Sequence, residues 1–357
     1  MKSGELTAKS SEAALNSGQS RRLQLTGDST YIISLPKKWI TKNQLHKGLA
    51  LLVREEEDGS LSILPSDLPK QEKQNEALIK HSSNEMSGAI IRKVVAAYLV
   101  GFNLIRVRAQ IQQELPSGVR NDLKNFARQF LVGTEIVTDT AIELSLQVLL
   151  NYQELSVESV LRRMAIITSS MHKDALAALM NNNRQLAEAV IETDSEVDRF
   201  NLYIIRQLKL AIANPRLIKA VGLNSARDCL GYRLITKSVE RAADHAVKIA
   251  ESSLMLKHTI ESKHFQKIEE MSRLSVSMFE ESIESLFRKD FNMAESVIEK
   301  TEQINELEKE VILSLRKTRG EETSITRLLT ESVKRTAEYA SDIAEIVLNL
   351  NVESVLE

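Results

Sequence analysis

The sequence predicts a multidomain α+β protein with a small N-terminal β module, a mixed α/β connector and a C-terminal all-α body. Three observations indicate this order. Apolar residues alternate with a period of two near the N-terminus, helical periodicity takes over from Val157, and the helical part repeats itself. With 357 residues, a net charge of -2 and 43% hydrophobic residues, the chain has enough apolar material for several cores.

The segment 21–65 has the pattern of a small β module, whereas residues 1–20 lack a sustained apolar period and are predicted to form a disordered tail. Short runs of alternating apolar residues are separated by turns at Gly27-Asp28, Gly48 and Asp58-Gly59. Pro36 suits the first turn of a short helix. The predicted order is therefore strand, strand, helix, strand, strand. Because about 45 residues bury little sheet alone, we expect this module to dimerise.

Residues 66–151 are predicted to form a mixed α+β connector without recognisable chemistry. The pattern indicates a helix over 76–99, a strand over 104–109, a helix over 120–129 and strands over 135–138 and 143–149.

The sequence of the helical body contains an internal repeat, with one copy over 152–260 and the other over 261–357. At an offset of 107, residues 187–192 match 294–299, and after a loop in the first copy the offset becomes 94, where 236–241 match 330–335. The loop over 213–225 accounts for the 13 extra residues (107 minus 94) of the first copy. We expect two three-helix units that pack together, because each unit alone would expose its apolar stripes.

Composition and motifs argue against several classes of protein. Cys229 is the only cysteine, which excludes an internal disulfide and a Cys-based zinc site. No stretch has the length and apolar character of a signal peptide or membrane span, so we expect a cytoplasmic protein without membrane insertion. No Gly-rich phosphate loop or nucleophile elbow is present, and we therefore expect no enzyme. A metal-dependent hydrolase is kept as a third hypothesis.

Two pairs of acids in the first copy could bind a metal ion. Asp194 with Asp198, and Glu240 with Asp244, are spaced four apart, so each pair shares one face of a helix. Together they could supply an all-oxygen ligand set for a divalent or iron-type ion such as Fe, Zn, Mn or Mg. Asp194 lies about 40° from Val190 around the helix, within an apolar stripe. A solvated acidic face is the alternative interpretation.

The second copy has a different set of residues at these positions. The counterparts of the four acids are Thr301, Asn305, Lys334 and Glu338. Only a shifted pair, Glu338 with Asp342, remains as a candidate, and we expect the first site to be the better one. His245 is more typical of a surface or interhelical residue than of a ligand.

Basic residues concentrate near the N-terminus. Between Arg21 and Gly48 a single acid, Asp28, stands against Arg21, Arg22, Lys37, Lys38, Lys42 and Lys47. Dimerisation would double this cationic surface, and contacts with DNA phosphates release counterions. An ordinary cationic surface is the alternative. We interpret Trp39 as the anchor of a small core rather than a base-stacking group.

The segment from Arg22 to Pro65 resembles the AbrB/SpoVT-type swapped-hairpin DNA-binding domain. The resemblance rests on residues 25–31, the run Ser34 to Trp39, Gly48 and Asp58-Gly59. It implies dimerisation through interleaved hairpins and DNA contacts from Arg21, Arg22, Lys37, Lys38 and Lys42.

The duplicated region, about Ser156 to Leu350, resembles PhoU, the phosphate-uptake regulator family. The run from Glu240 to Ala246, followed by Ile249 to Glu251, matches that family's signature. The resemblance implies two tandem three-helix PhoU-like repeats, metal bound through Glu/Asp-x-x-x-Asp motifs, and restraint of phosphate import through the phosphate transporter and its signalling kinase. The combination of modules is similar to archaeal PhoU-like phosphate uptake regulators.

These patterns and resemblances together predict a DNA-binding transcriptional regulator of phosphate uptake and homeostasis. The N-terminal module would hold an operator near phosphate-transport genes as a homodimer, and the helical body would sense metal or phosphate. The alternative is an adaptor that does not bind DNA and negatively regulates a phosphate ABC transporter, with the N-terminal module serving only for dimerisation.

Overall fold

The protein divides into two compact units, Met1–Lys73 and Gln74–Glu357. The computed structural model describes residues 20–55, 59–65, 75–82, 85–110, 113–150, 155–256, 262–315 and 321–356. The tail predicted for residues 1–20 lies, apart from residue 20, outside the described residues.

The first unit consists of two antiparallel hairpins with a short helix between them, in the predicted order. Strand β1 (Gln24–Thr26) pairs with β2 (Thr30–Ile32), α1 follows (Lys37–Lys42), and β3 (Leu51–Glu55) pairs with β4 (Leu61–Pro65). Gly27 has a φ of 65° and Gly59 a φ of 76°, values that favour glycine and mark the two predicted turns. Asp58 lies outside the described residues.

The connector is a four-stranded sheet covered on one face by two helices. Its elements are β5 (Glu76–His81), α2 (Ser87–Val100), β6 (Leu104–Ala109), α3 (Ser117–Phe130), β7 (Thr134–Asp139) and β8 (Glu143–Val148). The strand order is β5-β6-β8-β7, in which β5 and β6 are parallel and the other pairs are antiparallel. The inward residues of the strands form one apolar cluster with residues of the two helices.

The helix predicted over 76–99 is wrong at its beginning. Glu76–His81 is a strand that pairs with β6, and the helix begins only at Ser87. The strand alternates in burial, with Ala77 and Ile79 partly buried and Leu78 exposed. Its residues include good helix formers, and pairing with a strand more than 20 residues away overrides that local preference.

The helical body contains the two predicted three-helix copies. The first consists of α4 (Val157–Asn181), α5 (Arg184–Ala213) and α7 (Asp228–Met255), and the extra loop residues hold the short helix α6 (Arg216–Ala220). The second consists of α8 (Ser262–Arg288), a middle helix interrupted at Lys300 into α9 (Phe291–Glu299) and α10 (Thr301–Ser314), and α11 (Glu321–Asn351).

Equivalent positions begin the middle helix of each copy. The side chain of Asn183 accepts a hydrogen bond from the backbone N–H of Leu186, and that of Asp290 accepts one from Met293. These two caps are 107 residues apart, which is the repeat offset. The apolar faces of both copies join in one core. Across the described residues, no helix is long and apolar enough to cross a membrane.

Candidate metal centre

The four acids of the first copy lie on two long helices, α5 and α7, that pack against each other. Asp194 and Asp198 project from α5, and Glu240 and Asp244 from α7. All four side chains are partly buried. The four-residue spacing within each pair therefore places both pairs at the contact between the two helices.

The charges of these acids act on one another. Burial and, in decreasing order, the neighbouring charges of Asp198, Asp244 and Glu240 together raise the pKa of Asp194 to about 7. Burial also raises the pKa of Asp198 to about 6, with Glu240 and Asp244 contributing. The pKa of Asp244 is raised by burial and by Glu240. The ionised forms of Asp194, Asp198 and Asp244 are therefore disfavoured at this contact.

Asp194 has the clearest unmet bonding capacity. Its Oδ1 is buried and accepts no hydrogen bond from any described residue. Val190 and Val197 on either side are buried in the core, as the helical phase predicted. A buried carboxylate oxygen without a donor costs free energy, which a cation or a proton would recover.

The cluster is not assembled as a metal site in this conformation. Lys237, three residues before Glu240, forms an ion pair with that carboxylate, whose side chain is 12% exposed. As the side chains stand, the described residues contain no group of three or more His, Cys, Asp or Glu side chains that could hold a metal ion. The donor set fits a hard or borderline cation in its chemistry, but Glu240 would have to leave Lys237.

Lys237 contacts the acid cluster, although the sequence pattern does not single it out. A lysine three residues before a glutamate on a helix is a recognisable ion-pair spacing. Lys237 lowers the pKa of Asp244 and of Asp198. It supplies part of the positive charge that keeps the first-copy acids together.

The second copy replaces the acid cluster by a built-in cation. Lys334, the counterpart of Glu240, donates to Glu308 at 2.7 Å and lies 3.9 Å from Glu338. Glu338 also accepts from Arg335 at 2.8 Å. Burial and the charge of Glu345 raise the pKa of Asp342, although Arg241 opposes the shift. Of the predicted pair Glu338 and Asp342, Glu338 is thus already paired with basic residues of its own helix.

Two histidines lie in the core between the copies. His245 is 8% exposed and its ring centroid lies 5.9 Å from that of Tyr339 on α11, which fits the predicted interhelical role. His172 on α4, which the sequence did not single out, has Nε2 2.8 Å from the carbonyl of Ala242 and 3.0 Å from Oγ1 of Thr336. Burial lowers the pKa of both imidazoles to about 4, so both are neutral near pH 7.

The predicted DNA-contacting residues are all exposed on the first unit. Arg21 and Arg22 precede β1, and Lys37, Lys38 and Lys42 lie on α1. Trp39 on the same helix is partly buried. The cations are therefore accessible to a polyanion in the isolated chain.

Comparisons with known families match both parts of the chain. The PhoU domain model matches residues 161–253 and 268–347, which coincide with the two helical copies. The model of the antidote-toxin recognition protein MazE, a bacterial antitoxin, matches residues 24–71 and agrees with the AbrB-type resemblance of that segment.

Relatives of the helical body carry the name phosphate-specific transport system accessory protein PhoU homolog. The protein of that name from Aquifex aeolicus is 29% identical over 152 residues, which are 42% of this chain and 66% of that protein. Its counterpart from Streptococcus pneumoniae serotype 4 is 24% identical over 192 residues, covering 51% of this chain and 86% of the relative.

A solved structure shows the same fold of the helical body. PhoU from Pseudomonas aeruginosa superposes with a TM-score of 0.50 at 21% identity, covering 56% of this chain and 96% of that one. The helical body is therefore similar to two tandem PhoU domains, and a segment that matches the MazE model precedes it.

Proposed function

We propose that this protein is a DNA-binding transcriptional regulator of phosphate uptake and homeostasis, with its PhoU body as a metal-binding sensor. The observation that carries the proposal is the presence, in one chain, of an exposed cationic module and a tandem PhoU body. PhoU relatives named as phosphate transport accessory proteins support the link to phosphate.

Dimerisation through the first unit is supported by its unburied apolar side chains. Leu25, Tyr31 and Leu61 are 57%, 66% and 65% exposed, and among the described residues of this unit only Pro65 is buried. Two isolated two-stranded hairpins are marginal in water. A second copy of the module would bury these side chains and complete a core, which makes the homodimer the expected form.

DNA binding is supported by the charge of the same unit. The five exposed cations, doubled in a dimer, would contact phosphates and release counterions, so affinity should fall steeply with salt. Binding of this kind positions a protein on DNA, and sequence specificity would come from further contacts.

Metal binding is supported by the carboxylates of the first copy. Asp194, Asp198, Glu240 and Asp244 are partly buried, mutually repelling oxygens of the type that Mn²⁺, Mg²⁺, Zn²⁺ or iron accept. A cation would relieve the repulsion between α5 and α7. Binding would also release Lys237 from Glu240.

The experiment is a titration of a DNA fragment from upstream of phosphate-transport genes with a variant in which Arg21, Arg22, Lys37 and Lys38 are replaced by Gln. The proposal predicts lost binding and a reduced slope of affinity against salt. A matched control replaces the exposed Arg184 and Arg273 of the helical body, and should bind as the parent does. Equal binding by the quadruple variant would overturn the DNA-binding proposal.

The names of the relatives favour a second candidate, an adaptor that negatively regulates a phosphate ABC transporter without binding DNA. In that case the N-terminal module would only make dimers. The quadruple variant separates the candidates in cells: phosphate uptake would stay regulated under the adaptor proposal and become deregulated under the first one.

A further inference from the structure

Among the described residues, the largest fully buried side chain is that of a cation, Arg206. It lies on α5, has no exposed surface, and reaches from the first PhoU copy into the connector. A buried guanidinium requires hydrogen-bond acceptors, because an unpaired buried charge costs several kcal/mol.

The acceptors of Arg206 are the backbone carbonyls at the end of α2. Nη1 donates to the carbonyls of Tyr98 and Phe102, the latter at 3.1 Å, and Nη2 donates to the carbonyl of Gly101 at 3.3 Å and to Oδ1 of Asn103 at 2.9 Å. The last carbonyls of a helix lack partners within it and carry partial negative charge. Arg206 therefore caps the connector helix from another domain.

The two elements also pack tightly around this cap. Gly101 ends α2 with a φ of 108°, and a Cβ at this position would lie 2.5 Å from Cδ2 of Leu210 on α5. Leu202, one turn before Arg206, packs against the connector core. Leu202, Arg206 and Leu210 form one ridge at four-residue spacing. Close packing along this ridge restricts movement of α5 relative to the end of α2.

The same ridge carries the acid cluster. Continuing toward the N-terminus of α5 at four-residue spacing, Asp198 and Asp194 precede Leu202. At 1.5 Å per residue, Asp198 and Arg206 are about 12 Å apart along the helix axis. One uninterrupted helix thus contacts α7 through its acids and the connector through its arginine.

We infer that α5 is a rigid coupling element and that Arg206 is the positioning residue that passes a change at the acid cluster to the end of α2. A change in charge between α5 and α7 alters how closely the two helices approach. Because Arg206 fixes α5 to the α2 carbonyls, the connector responds as well. The inference rests on the proposed function only in taking the acid cluster as the place where the ion acts.

The test is hydrogen exchange of the full-length protein in EDTA, so that no metal is involved. Asp198→Asn removes one negative charge and should slow exchange in α5 and α7 around the cluster. Coupling predicts that amides of residues 94–101 at the end of α2 also slow, by about threefold or more. In the Arg206→Met background this response at α2 should disappear, while the response at the cluster stays.

Two further variants keep the result interpretable. Arg184→Met makes the same change on the same helix at an exposed position, and should leave the α2 response intact. Arg206→Lys keeps a buried charge but loses the planar guanidinium group. It replaces Arg206→Met in the test if that variant folds poorly, and its α2 response should be weaker than with Arg206 present.

The inference is overturned if the α2 exchange rate does not change on Asp198→Asn, or if it responds as strongly with Arg206→Met or Arg206→Lys as with Arg206 present. Because no metal is present, either outcome leaves the metal-binding proposal standing, and a failure of metal binding leaves this coupling standing.

Discussion

The two PhoU copies have the same arrangement of helices but differ in the charges at equivalent positions. In the first copy, four partly buried acids lie at the contact between α5 and α7, with Lys237 as a partial counter-charge. In the second copy, Thr301 and Asn305 replace two acids, and Lys334 supplies a cation from the chain itself.

A swap at two positions accounts for much of the difference. Glu240 in the first copy is Lys334 in the second, and Asn201 in the first copy is Glu308 in the second. Lys334 and Glu308 bond at 2.7 Å, whereas Oδ1 of Asn201 is buried and without a donor among the described residues. The second copy therefore carries its own counter-charge, whereas Lys237 offsets the acids of the first copy only in part.

The largest effect that this contrast predicts is on metal affinity. Asp198→Asn should weaken Mn²⁺ binding to EDTA-treated protein by about 100-fold or more, because a charged ligand is lost. Its matched control, Glu338→Gln in the second copy, should leave affinity unchanged. Isothermal titration calorimetry measures both, and an equal loss in the two variants would contradict the assignment of the site to the first copy.

The next effect is on the stability of the second copy. Lys334→Met should lower the free energy of unfolding by about 2 kcal/mol, because Glu308 and Glu338 lose their shared cation in a partly buried setting. Lys309→Met, on an exposed position of α10, serves as the control and should be nearly neutral. Denaturant unfolding in EDTA checks the pair, and no loss for Lys334→Met would refute the built-in cation.

A smaller effect concerns pH and the first copy. The pKa of Asp194 in the folded protein, about 7, lies above its ordinary value of 3.8. Its stabilising contribution is therefore complete below about pH 4 and is lost as pH rises toward 7 and above. Relative to Asp194→Asn, metal-free parent protein should lose about 1 kcal/mol between pH 5 and pH 8, after allowing for solvent screening of a half-buried group.

Comparing the two proteins at each pH isolates Asp194 from the buried imidazoles. His172 and His245 have a pKa of about 4, below the ordinary 6.5, so their contribution is present above pH 6.5 and lost on acidification. Parallel stability curves for the parent and Asp194→Asn would show that Asp194 is not strained at neutral pH.

The smallest effect is expected at the exposed Arg335. Its ion pairs with Glu331 at 3.0 Å and Glu338 at 2.8 Å lie at the surface of α11. Arg335→Gln should change stability by less than replicate denaturant curves resolve, and high salt should erase any difference. A clear loss that persists at high salt would mean that the second-copy network acts as one unit.

Local patterns carried much of the fold. Period-two runs and Gly27 identified the hairpins of the first unit, and the offsets of 107 and 94 located both three-helix copies. Local periodicity and internal repeats can be recognised in a single sequence, because neither depends on which distant residues come into contact. The break at Lys300 in the second copy was not marked by Gly or Pro.

Long-range partners were beyond such patterns. Strand β5 was read as helix because only its pairing with β6 makes Glu76–His81 extended. Arg206 has no local pattern that indicates a partner, because its acceptors on α2 lie about 100 residues earlier in the chain. The acid spacing of the first copy was visible, whereas the ion pair of Lys237 with Glu240 depends on side-chain positions.

The contrast between the copies is tested most directly by an anomalous-difference map from crystals of the full-length protein soaked in Mn²⁺. The account predicts one peak per chain, between α5 and α7 and within ligand distance of Asp198 and Glu240. A peak beside Lys334 and Glu338, or ordered manganese elsewhere with none at the first copy, would contradict it.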